Sequence, residues 1–207
     1  MPNGLSDIIS AVFSSWLVTW PTGLLSVIWL AWVMSWIAAS FWSGRTKTHV
    51  RTVDSWVYRL PILLGALCLT PPIERLLGAE QLYRLGDGWI YLLAIVVVLG
   101  LSFTWWARIH LGRLWSNAIT HKEDHRIIDT GPYGVVRHPI YTGQMIGLFA
   151  TGIAIGNWAA MLGAFLISFG EWQKGRMEER FLSAELGAEA YGSYCRRVPM
   201  IVPFLRF

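Results

Sequence analysis

An uncharged stretch of the chain, from Ile140 to Gly170, limits the possible folds more than any other feature. A helix that crosses the bilayer core needs about 20 apolar residues, so this stretch is too long for one span. Gly156 and Asn157 lie near its middle, and a glycine followed by an asparagine favours a turn. The sequence therefore predicts two short helices of about 15 residues each, joined as a hairpin in the membrane.

Other parts of the chain are also apolar enough for membrane helices. Hydrophobic residues make up 54% of the sequence and charged residues 14%, which argues against a soluble protein. Further spans are predicted at Thr22–Trp42, Val53–Thr70 and Gly88–Ala107. Leu5–Trp20 predicts another short helix, in the interface or across the membrane, without the features of a cleaved signal peptide. The predicted fold is all-α: a polytopic membrane protein with about five transmembrane helices, of which the last two form the hairpin.

The positive charges indicate how these helices are oriented. All 17 lysines and arginines except Arg75 and Arg84 lie in or beside segments that five spans place on one side. By the positive-inside tendency that side is the cytoplasm. The N-terminus is then outside, and the loop 109–139 and the C-terminal tail share the cytoplasmic face. The net charge of +4 follows from these loops, and the sequence has no basic stripe typical of nucleic-acid binding.

Three polar clusters lie on the predicted cytoplasmic side. The first contains Trp115, Ser116, His121, Glu123, Asp124 and His125; the second Tyr133, Arg137, His138 and Tyr141; the third Glu171, Lys174, Arg176, Glu178 and Glu179. The second cluster is either a basic loop that only sets topology or a rigid site held by Gly and Pro residues. The helix predicted over Lys174–Leu186 is interfacial and amphipathic, although its two adjacent glutamates are placed to face a cavity above the hairpin.

Several common kinds of site find no support in the sequence. His121 and His125 are four residues apart, but their spacing matches no common zinc pattern and there is no HExxH motif, so we predict no metal. There is also no GxSxG nucleophile motif. The Gly-Asp-Gly sequence at 86–88 lacks the third glycine and the preceding strand of a dinucleotide fingerprint. Cys68 and Cys195 would lie at different levels, so we expect neither a disulfide nor a metal role.

Five blocks of sequence in the second half of the chain carry a more specific signal. They are Leu111–Ser116, His125–Tyr133, Arg137–Gly143 with the pattern RHPxYxG, Glu178–Glu179, and Tyr191–Pro199. Together they resemble the isoprenylcysteine carboxyl methyltransferase family and its bacterial relatives, including phospholipid methyltransferase-like proteins. The first two predicted spans carry no such signal. The resemblance divides the chain into N-terminal transmembrane helices at 1–108 and a cofactor-binding catalytic region at 109–207.

The resemblance implies an integral membrane enzyme that binds S-adenosyl-L-methionine in a cytoplasmic site formed by loops and a C-terminal helix. The implied cofactor-binding residues are His125, Arg126, Ile127, Ile128, Tyr133, Arg137, His138, Pro139, Ile140, Tyr141 and Glu178. The implied catalytic residues are Lys174, Arg176 and Glu178. The family's substrate arginine falls on Lys174, and Arg176 is nearby but out of register. A lysine offers a point charge where an arginine offers a planar, two-pronged donor.

The chemistry of these side chains agrees with the implied roles. Because S-adenosylmethionine carries an activated methyl group, the protein must align donor and acceptor and exclude water. Tyr133 and Tyr141 offer π faces, and His138 offers hydrogen bonds. Glu178 suits the amino end of the cofactor's methionine part. Arg137 either binds the cofactor's carboxylate or is a structural arginine that faces lipid headgroups, and the sequence leaves both open.

The hydropathy pattern predicts a multi-pass protein, and the resemblance implies that it is a methyltransferase of a bacterial inner membrane. Its acceptor is then lipophilic or membrane-embedded and is reached between the spans. We expect contact with membrane lipids, and neither nucleic acid nor metal as a partner. One alternative is an NADPH-dependent membrane reductase, since Tyr194–Pro199 also resembles the C-terminal end of sterol reductases. Another is a non-enzymatic membrane protein, which predicts charged groups within the spans, where this chain has almost none.

Overall fold

Helices make up nearly all of the regular structure in the part of the chain that is described. The computed structural model describes residues 22–41, 48–49, 52–112, 115, 120–121 and 127–205. Within these residues the strands are β1 (Thr48–His49) and β2 (Thr120–His121), which form one short antiparallel pair. The all-α prediction is therefore confirmed at this level. The prediction for Leu5–Trp20 lies outside the described residues.

The first half of the described chain contains two long apolar helices and two shorter ones. They are α1 (Thr22–Ser40), α2 (Thr52–Cys68), α3 (Pro71–Leu76) and α4 (Asp87–Leu111). By length and composition, Gly23–Ser40 in α1 and Asp87–Leu111 in α4 are long and apolar enough to cross a membrane. Helix α2 is apolar but shorter, as is one arm of the hairpin. The arrangement of five spans thus stays a prediction.

The predicted hairpin is present, and it turns where the sequence indicated. Helix α6 (Pro139–Ile155) and helix α7 (Trp158–Leu186) are separated by Gly156 and Asn157. Gly156 ends α6 with a φ of 75°, a left-handed conformation that suits glycine because it has no Cβ. The Asn157 side chain accepts a hydrogen bond of 2.7 Å from the Ala160 amide and so caps α7.

The second arm of the hairpin is longer than predicted. Helix α7 has 29 residues and includes the amphipathic stretch that the sequence suggested as a separate helix. Glycines at 170 and 175 do not interrupt it, since packing on neighbouring elements outweighs the low helix propensity of glycine. The charged end of α7 therefore continues the second arm of the hairpin without a break. This end carries the third polar cluster. Two short helices complete the fold, α5 (Pro132–Val135) and α8 (Ala188–Arg197).

Close glycine contacts hold the helices together in two pairs. Helix α4 packs against α6, where a Cβ added to Gly100 would lie 2.6 Å from the Gly143 carbonyl oxygen. Helix α2 packs against α7, where a Cβ added to Gly65 would lie 2.6 Å from the Gly163 carbonyl oxygen. Small residues at such crossings let helix backbones approach closely, which is the common way of packing helices in membranes.

Helix α1 is attached to this core by tryptophan side chains. Trp29 Nε1 donates to Thr151 Oγ1 of α6 at 2.9 Å, and Trp32 Nε1 donates to Thr104 Oγ1 of α4 at the same distance. The opposite faces of the helices expose large apolar side chains; on α2 these include Leu60, Leu63, Leu64 and Leu67. Exposed apolar surface of this extent indicates contact with lipid.

Candidate active site beside the helical hairpin

The link at 136–138, between α5 and α6, carries Arg137 and His138 of the second polar cluster. Gly131 precedes α5 with a φ of 56°, and Pro132 and Pro139 are the first residues of α5 and α6. A proline favours extended backbone in the residue before it, so the link at 136–138 does not continue the helix. The Arg137 amide donates to the Pro199 carbonyl at 2.8 Å, and the His138 amide donates to the Met200 carbonyl at 3.0 Å. Two backbone hydrogen bonds thus join the link to the C-terminal tail.

Arg137 fixes the tail further through its side chain. Its Nε donates to Glu179 Oε1 at 2.7 Å, and its Nη1 donates to the carbonyls of Cys195 and Val198. Burial alone would lower the pKa of Arg137, but the hydrogen bond and charge of Glu179 outweigh burial and raise it. These contacts give Arg137 partners within the protein, and its role toward the cofactor stays a prediction. Arg137 faces the tail rather than lipid headgroups.

His138 lies between two carboxylates of α7 and is only 8% exposed. Its Nδ1 lies 3.5 Å from Glu178 Oε2, and its Nε2 lies 3.1 Å from Glu179 Oε1. Burial alone would lower the pKa of His138, but its bonds to Glu178 and Glu179 and their charges outweigh burial and raise it. This position makes His138 the junction between the hairpin, the link and the tail.

Tyr141 extends this network along α6. Its hydroxyl donates to Glu178 Oε1 at 2.8 Å, and its ring stacks on the His138 ring with centroids 5.4 Å apart and planes 9° apart. Lys174 Nζ lies 3.9 Å from the same Glu178 oxygen and 5.6 Å from the Tyr141 ring centroid. A cation over an aromatic face is electrostatically favourable.

Both glutamates are held in the ionised form by these neighbours. Burial would raise the pKa of Glu178, but its bond to His138 and the charge of Lys174 outweigh burial and lower it. Burial would likewise raise the pKa of Glu179, which is lowered by its bonds to His138 and Arg137. The cluster therefore contains two ionised carboxylates beside His138, and their charges stabilise the protonated form of this histidine.

Tyr133 lies at the edge of the cluster, under the tail. Its ring stacks against that of His110 from α4, with centroids 6.3 Å apart, and its carbonyl accepts a 2.8 Å hydrogen bond from the Tyr194 hydroxyl. Burial raises the pKa of Tyr133, so its phenol is protonated. The Tyr133 ring is buried, and its contacts place it between α4 and the tail helix α8.

The remaining predicted site residues fall into three groups. Pro139 is fully buried at the start of α6, with Ile140 partly buried beside it. Ile127 packs on Tyr191, Tyr194 and Val198 of the tail, and Ile128 is partly buried next to it. Arg176 lies on an exposed side of α7, with its guanidinium 5.5 Å from the Trp172 ring, so the structure does not bring it to the cluster. His125 and Arg126 lie outside the described residues.

Sequence reasoning missed the specific role of Glu179. It named the Glu178–Glu179 pair but assigned only Glu178 to the site, whereas the structure bonds Glu179 to both Arg137 and His138. The adjacent Arg-His pair in one segment and Glu-Glu pair in the other were a usable signal. Tyr58 was also missed; its ring on α2 lies 5.9 Å from Lys174 Nζ, a contact between helices that no local pattern indicates.

A metal centre is not supported by the geometry of these groups. Within residues 22–41, 55–112 and 127–205, no set of three or more His, Cys, Asp or Glu side chains is arranged to hold a metal ion. The side chains of His121 and His125 lie outside this part, so the prediction about them stays a prediction. What the described cluster offers is a pair of carboxylates, a lysine, and two stacked aromatic rings.

A comparison with known proteins finds a family that matches the part of the chain containing this cluster. Residues 92–183 match the isoprenylcysteine carboxyl methyltransferase (ICMT) family, and this stretch contains the RHPxYxG block as well as Glu178 and Glu179. This part of the chain is therefore similar to the ICMT family. The matched stretch includes α6 and most of α7, and it ends before the block at Tyr191–Pro199.

Individual relatives extend the similarity to other parts of the chain. A probable protein-S-isoprenylcysteine O-methyltransferase of Oryza sativa subsp. indica is 26% identical over 82% of this chain and 87% of its own length. Protein-S-isoprenylcysteine O-methyltransferase B of Arabidopsis thaliana is 28% identical over 72% of this chain and 74% of its own length. The cobalt-zinc-cadmium resistance protein CzcN of Cupriavidus metallidurans is 27% identical over 75% of this chain and 69% of its own length. Two of these relatives thus carry the name of a methyltransferase. The membrane character of this chain is indicated by its own apolar helices.

Proposed function

We propose that this protein is an integral membrane methyltransferase that uses S-adenosyl-L-methionine to methylate a lipophilic or membrane-embedded acceptor. The observation that supports this most is the joining of two family blocks in one network: the RHPxYxG histidine and tyrosine of α6 bond to the adjacent glutamates of α7. The match to the ICMT family favours methyl transfer over the reductase and the non-enzymatic alternatives.

The side chains in the cluster fit such a cofactor. S-adenosylmethionine, when bound, supplies a methyl group already activated by a sulfonium, so the protein needs no nucleophile of its own. Ionised Glu178 suits the positively charged amino end of the cofactor, and the Tyr141 hydroxyl keeps that carboxylate oriented. Tyr133 and Tyr141 contribute aromatic faces for a cation or an adenine ring. We assign Arg137, with Glu179, to holding His138 and the tail in place.

Water exclusion is the second requirement, and the tail supports it. The Thr142 hydroxyl lies 2.7 Å from the Ile201 carbonyl, next to the two amide bonds that join the link to Pro199 and Met200. Residues 199–201 thereby cover the start of α6. A dry site strengthens the electrostatic interactions within it and protects an activated methyl group from water.

The membrane arrangement that we propose has five spans, with the network on the cytoplasmic side of a bacterial inner membrane. The helices at 1–108 form one part, and the region 109–207 forms the catalytic part. Their apolar outer faces and the one-sided distribution of Lys and Arg support this arrangement. The acceptor then enters laterally, between the helices.

Binding of S-adenosylhomocysteine to the purified protein in mild detergent tests this function. A ligand that binds only the folded state raises its apparent stability with the logarithm of ligand concentration. We expect saturable binding by calorimetry and thermal shift, loss of binding in His138→Ala and Glu178→Ala, and retained binding in Glu189→Ala, an exposed carboxylate of α8. Stabilisation by NADPH, with no response to S-adenosylhomocysteine, would instead establish the reductase.

A further inference from the structure

Two buried side chains on α7 have polar atoms without a partner. Glu171 is 6% exposed and Ser168 is 8% exposed, and neither Glu171 Oε2 nor Ser168 Oγ has a hydrogen-bond partner among the described residues. Buried polar groups are nearly always hydrogen-bonded, because an unpaired one away from water costs free energy. Two such atoms on one helix indicate a ligand that the chain itself does not supply.

The Ser168 hydroxyl does not make a bond that other hydroxyls of these helices make. A serine or threonine in a helix can donate to a carbonyl three or four residues earlier. Thr142 donates to the His138 carbonyl at 3.1 Å in this way, and Thr151 donates to the Gly147 carbonyl at 2.7 Å. Ser168 Oγ makes no such bond, so its hydroxyl is left for another partner.

Helical spacing places both side chains on the side of α7 that carries the candidate site. Residues spaced by three or four positions share one side of a helix. On α7 such positions are Ser168, Glu171, Gly175 and Glu178. A Cβ added to Gly175 would lie 3.4 Å from the His138 ring, so this side faces the network.

Along the helix, the two side chains lie on the membrane side of the network. Ser168 is within the uncharged stretch that ends at Gly170, and Glu171 is the first ionisable residue after it. Glu171 precedes Glu178 by seven residues, which is about 10 Å along the helix axis. A lipophilic acceptor that enters between the helices therefore meets Ser168 and Glu171 before it meets Glu178.

Glu171 is a neutral carboxylic acid in this position. Burial raises the pKa of its carboxyl group well above the usual range, although the charge of Lys174 acts in the opposite direction. A neutral carboxylic acid has one O–H donor and can also accept hydrogen bonds, and a serine hydroxyl likewise donates and accepts. Together these two groups match a ligand group that both donates and accepts, such as a hydroxyl.

The charges next to Glu171 are already paired, which disfavours a charged ligand group. Lys174 Nζ lies 3.9 Å from Glu178 Oε1, and the lowered pKa of Glu178 keeps that carboxyl group ionised. Neutral Glu171 adds no charge to this pair. A ligand ammonium or carboxylate would therefore leave water without a counter-charge of its own, which costs more than moving an uncharged hydroxyl.

We propose that Ser168 and Glu171 bind the uncharged hydroxyl group of a lipophilic acceptor on the membrane side of Glu178. This inference rests on the proposed methyltransferase function and adds the chemical class of the acceptor, a lipophilic alcohol. The ligand hydroxyl gives both buried oxygens the hydrogen bonds that they lack within the described residues.

Three probes with the same alkyl chain test this class. Binding of 1-dodecanol, dodecanoate and dodecylamine to the full-length protein in detergent is measured by calorimetry, with and without S-adenosylhomocysteine. At about pH 8 the last two probes are charged. Titrations of micelles without protein give the partitioning that is subtracted for each probe. We expect 1-dodecanol to bind at least about tenfold more tightly than either charged probe.

Variants of the two residues distinguish a neutral acid from a carboxylate. Glu171→Leu and Ser168→Ala should each weaken binding of 1-dodecanol about tenfold, since each removes a hydrogen bond to the ligand. Glu171→Gln has a similar shape and supplies an uncharged donor and acceptor, so it should restore binding to within about threefold of the wild type. Glu189→Leu, at an exposed position of α8, is the matched control and should bind as the wild type does.

The stability of Glu171→Leu without any probe is an independent check. This variant replaces a buried polar group that lacks a partner by an apolar group, so its unfolding temperature should equal or exceed that of the wild type. A clearly lower unfolding temperature would show that Glu171 is bonded within the protein, and it would overturn the proposed site.

The binding results separate the acceptor class from the methyltransferase function. Absent binding of 1-dodecanol, or tighter binding of a charged probe, overturns the class of acceptor. Unchanged binding in Glu171→Leu overturns the role of Glu171, and equal losses in Glu171→Leu and Glu171→Gln show that a carboxylate is required. Failure to bind S-adenosylhomocysteine overturns the methyltransferase function, whereas the titrations without it still decide whether Ser168 and Glu171 bind an alcohol.

Discussion

His138 and its two glutamates make the stability of the site depend on pH in both directions. The pKa of His138 is raised above its ordinary value of 6.5, so its protonated form stabilises the fold. That contribution is fully present below the unfolded-state pKa and is lost as pH rises through the folded-state pKa. The pKa values of Glu178 and Glu179 are lowered from 4.5, so their contributions are present above that value and are lost as pH falls.

His138→Gln should therefore destabilise the protein by an amount that depends on pH. We expect the difference in unfolding temperature from the wild type to be larger at about pH 6 than at about pH 9, because the histidine charge is lost over that range. Thermal unfolding in detergent, followed by tryptophan fluorescence, measures it. A difference that grows toward alkaline pH would show that neutral His138 is the stabilising form.

Arg137 and Arg197 offer a matched comparison between a buried and an exposed ion pair. Arg137→Ala leaves Glu179 and two tail carbonyls without their donor, and breaking such a buried pair costs about 3 kcal/mol. Arg197 pairs with Asp129 at 3.1 Å, but both side chains are largely exposed, so Arg197→Ala should cost about 0.5 kcal/mol or less. Denaturant unfolding in detergent gives both values. Equal losses would contradict the structural role of Arg137.

At the residue scale, the sequence named the blocks that meet in the structure, but it did not specify which side chains within them touch. His138, Tyr141 and Glu178 were named from their blocks, and the structure joins them in one network. Arg176 was named as well but lies on an exposed side of α7. A helix turns by about 100° per residue, so a difference of two positions reverses the side that a residue faces, and only the fixed rotation of α7 decides it. The roles of these residues in binding stay predictions.

Helix packing in this fold depends on glycines that face each other. A Cβ at Gly143 would meet the Gly100 carbonyl oxygen and lie 2.7 Å from Thr104 Cγ2, so Gly143→Ala should force α4 and α6 apart. We expect a loss of about 1–3 kcal/mol, as for overpacked cores. Gly88→Ala, where an added Cβ meets no described atom within 4 Å, is the control and should cost nothing. Equal unfolding temperatures for the two variants would contradict this packing.

At the element scale, the positions of breaks were more predictable than the lengths of helices. The turn at Gly156 and Asn157 follows from local chemistry, a left-handed glycine and an asparagine cap. The continuation of α7 to Leu186 does not, because hydropathy changes at Gly170 while the backbone continues unchanged. A change in polarity marks where a helix leaves the apolar layer, and a backbone break needs a residue that disfavours the helix.

The orientation of the whole molecule is testable with single cysteines. In a background without Cys68 and Cys195, we introduce Arg84→Cys before α4 and Glu189→Cys in α8, both exposed. If the positive-inside tendency sets the topology, a membrane-impermeant maleimide should label Arg84→Cys in intact cells and Glu189→Cys only after lysis. The reverse labelling would invert the proposed arrangement, and labelling of both in intact cells would contradict an odd number of spans between them.

At the scale of the whole molecule, the class of fold was predictable from the sequence, but the pairing of its helices was not. The all-α membrane character follows from composition, since 54% of the residues are hydrophobic. The packing of α2 on α7 and of α4 on α6 rests on contacts about 100 and about 40 residues apart in sequence, and no local pattern specifies partners at such separations.

The pairing of the link at 136–138 with the tail also sets an order of events during synthesis. Carbonyls of residues 198–201 are bonded to Arg137, His138 and Thr142, so the cluster lacks these partners until residue 201 has left the ribosome. Helices α4 to α7 are made earlier and can enter the bilayer while the site is still open. The hairpin is thus synthesised before its partner, and the hydrogen bonds between link and tail form only after both arms of the hairpin have been made.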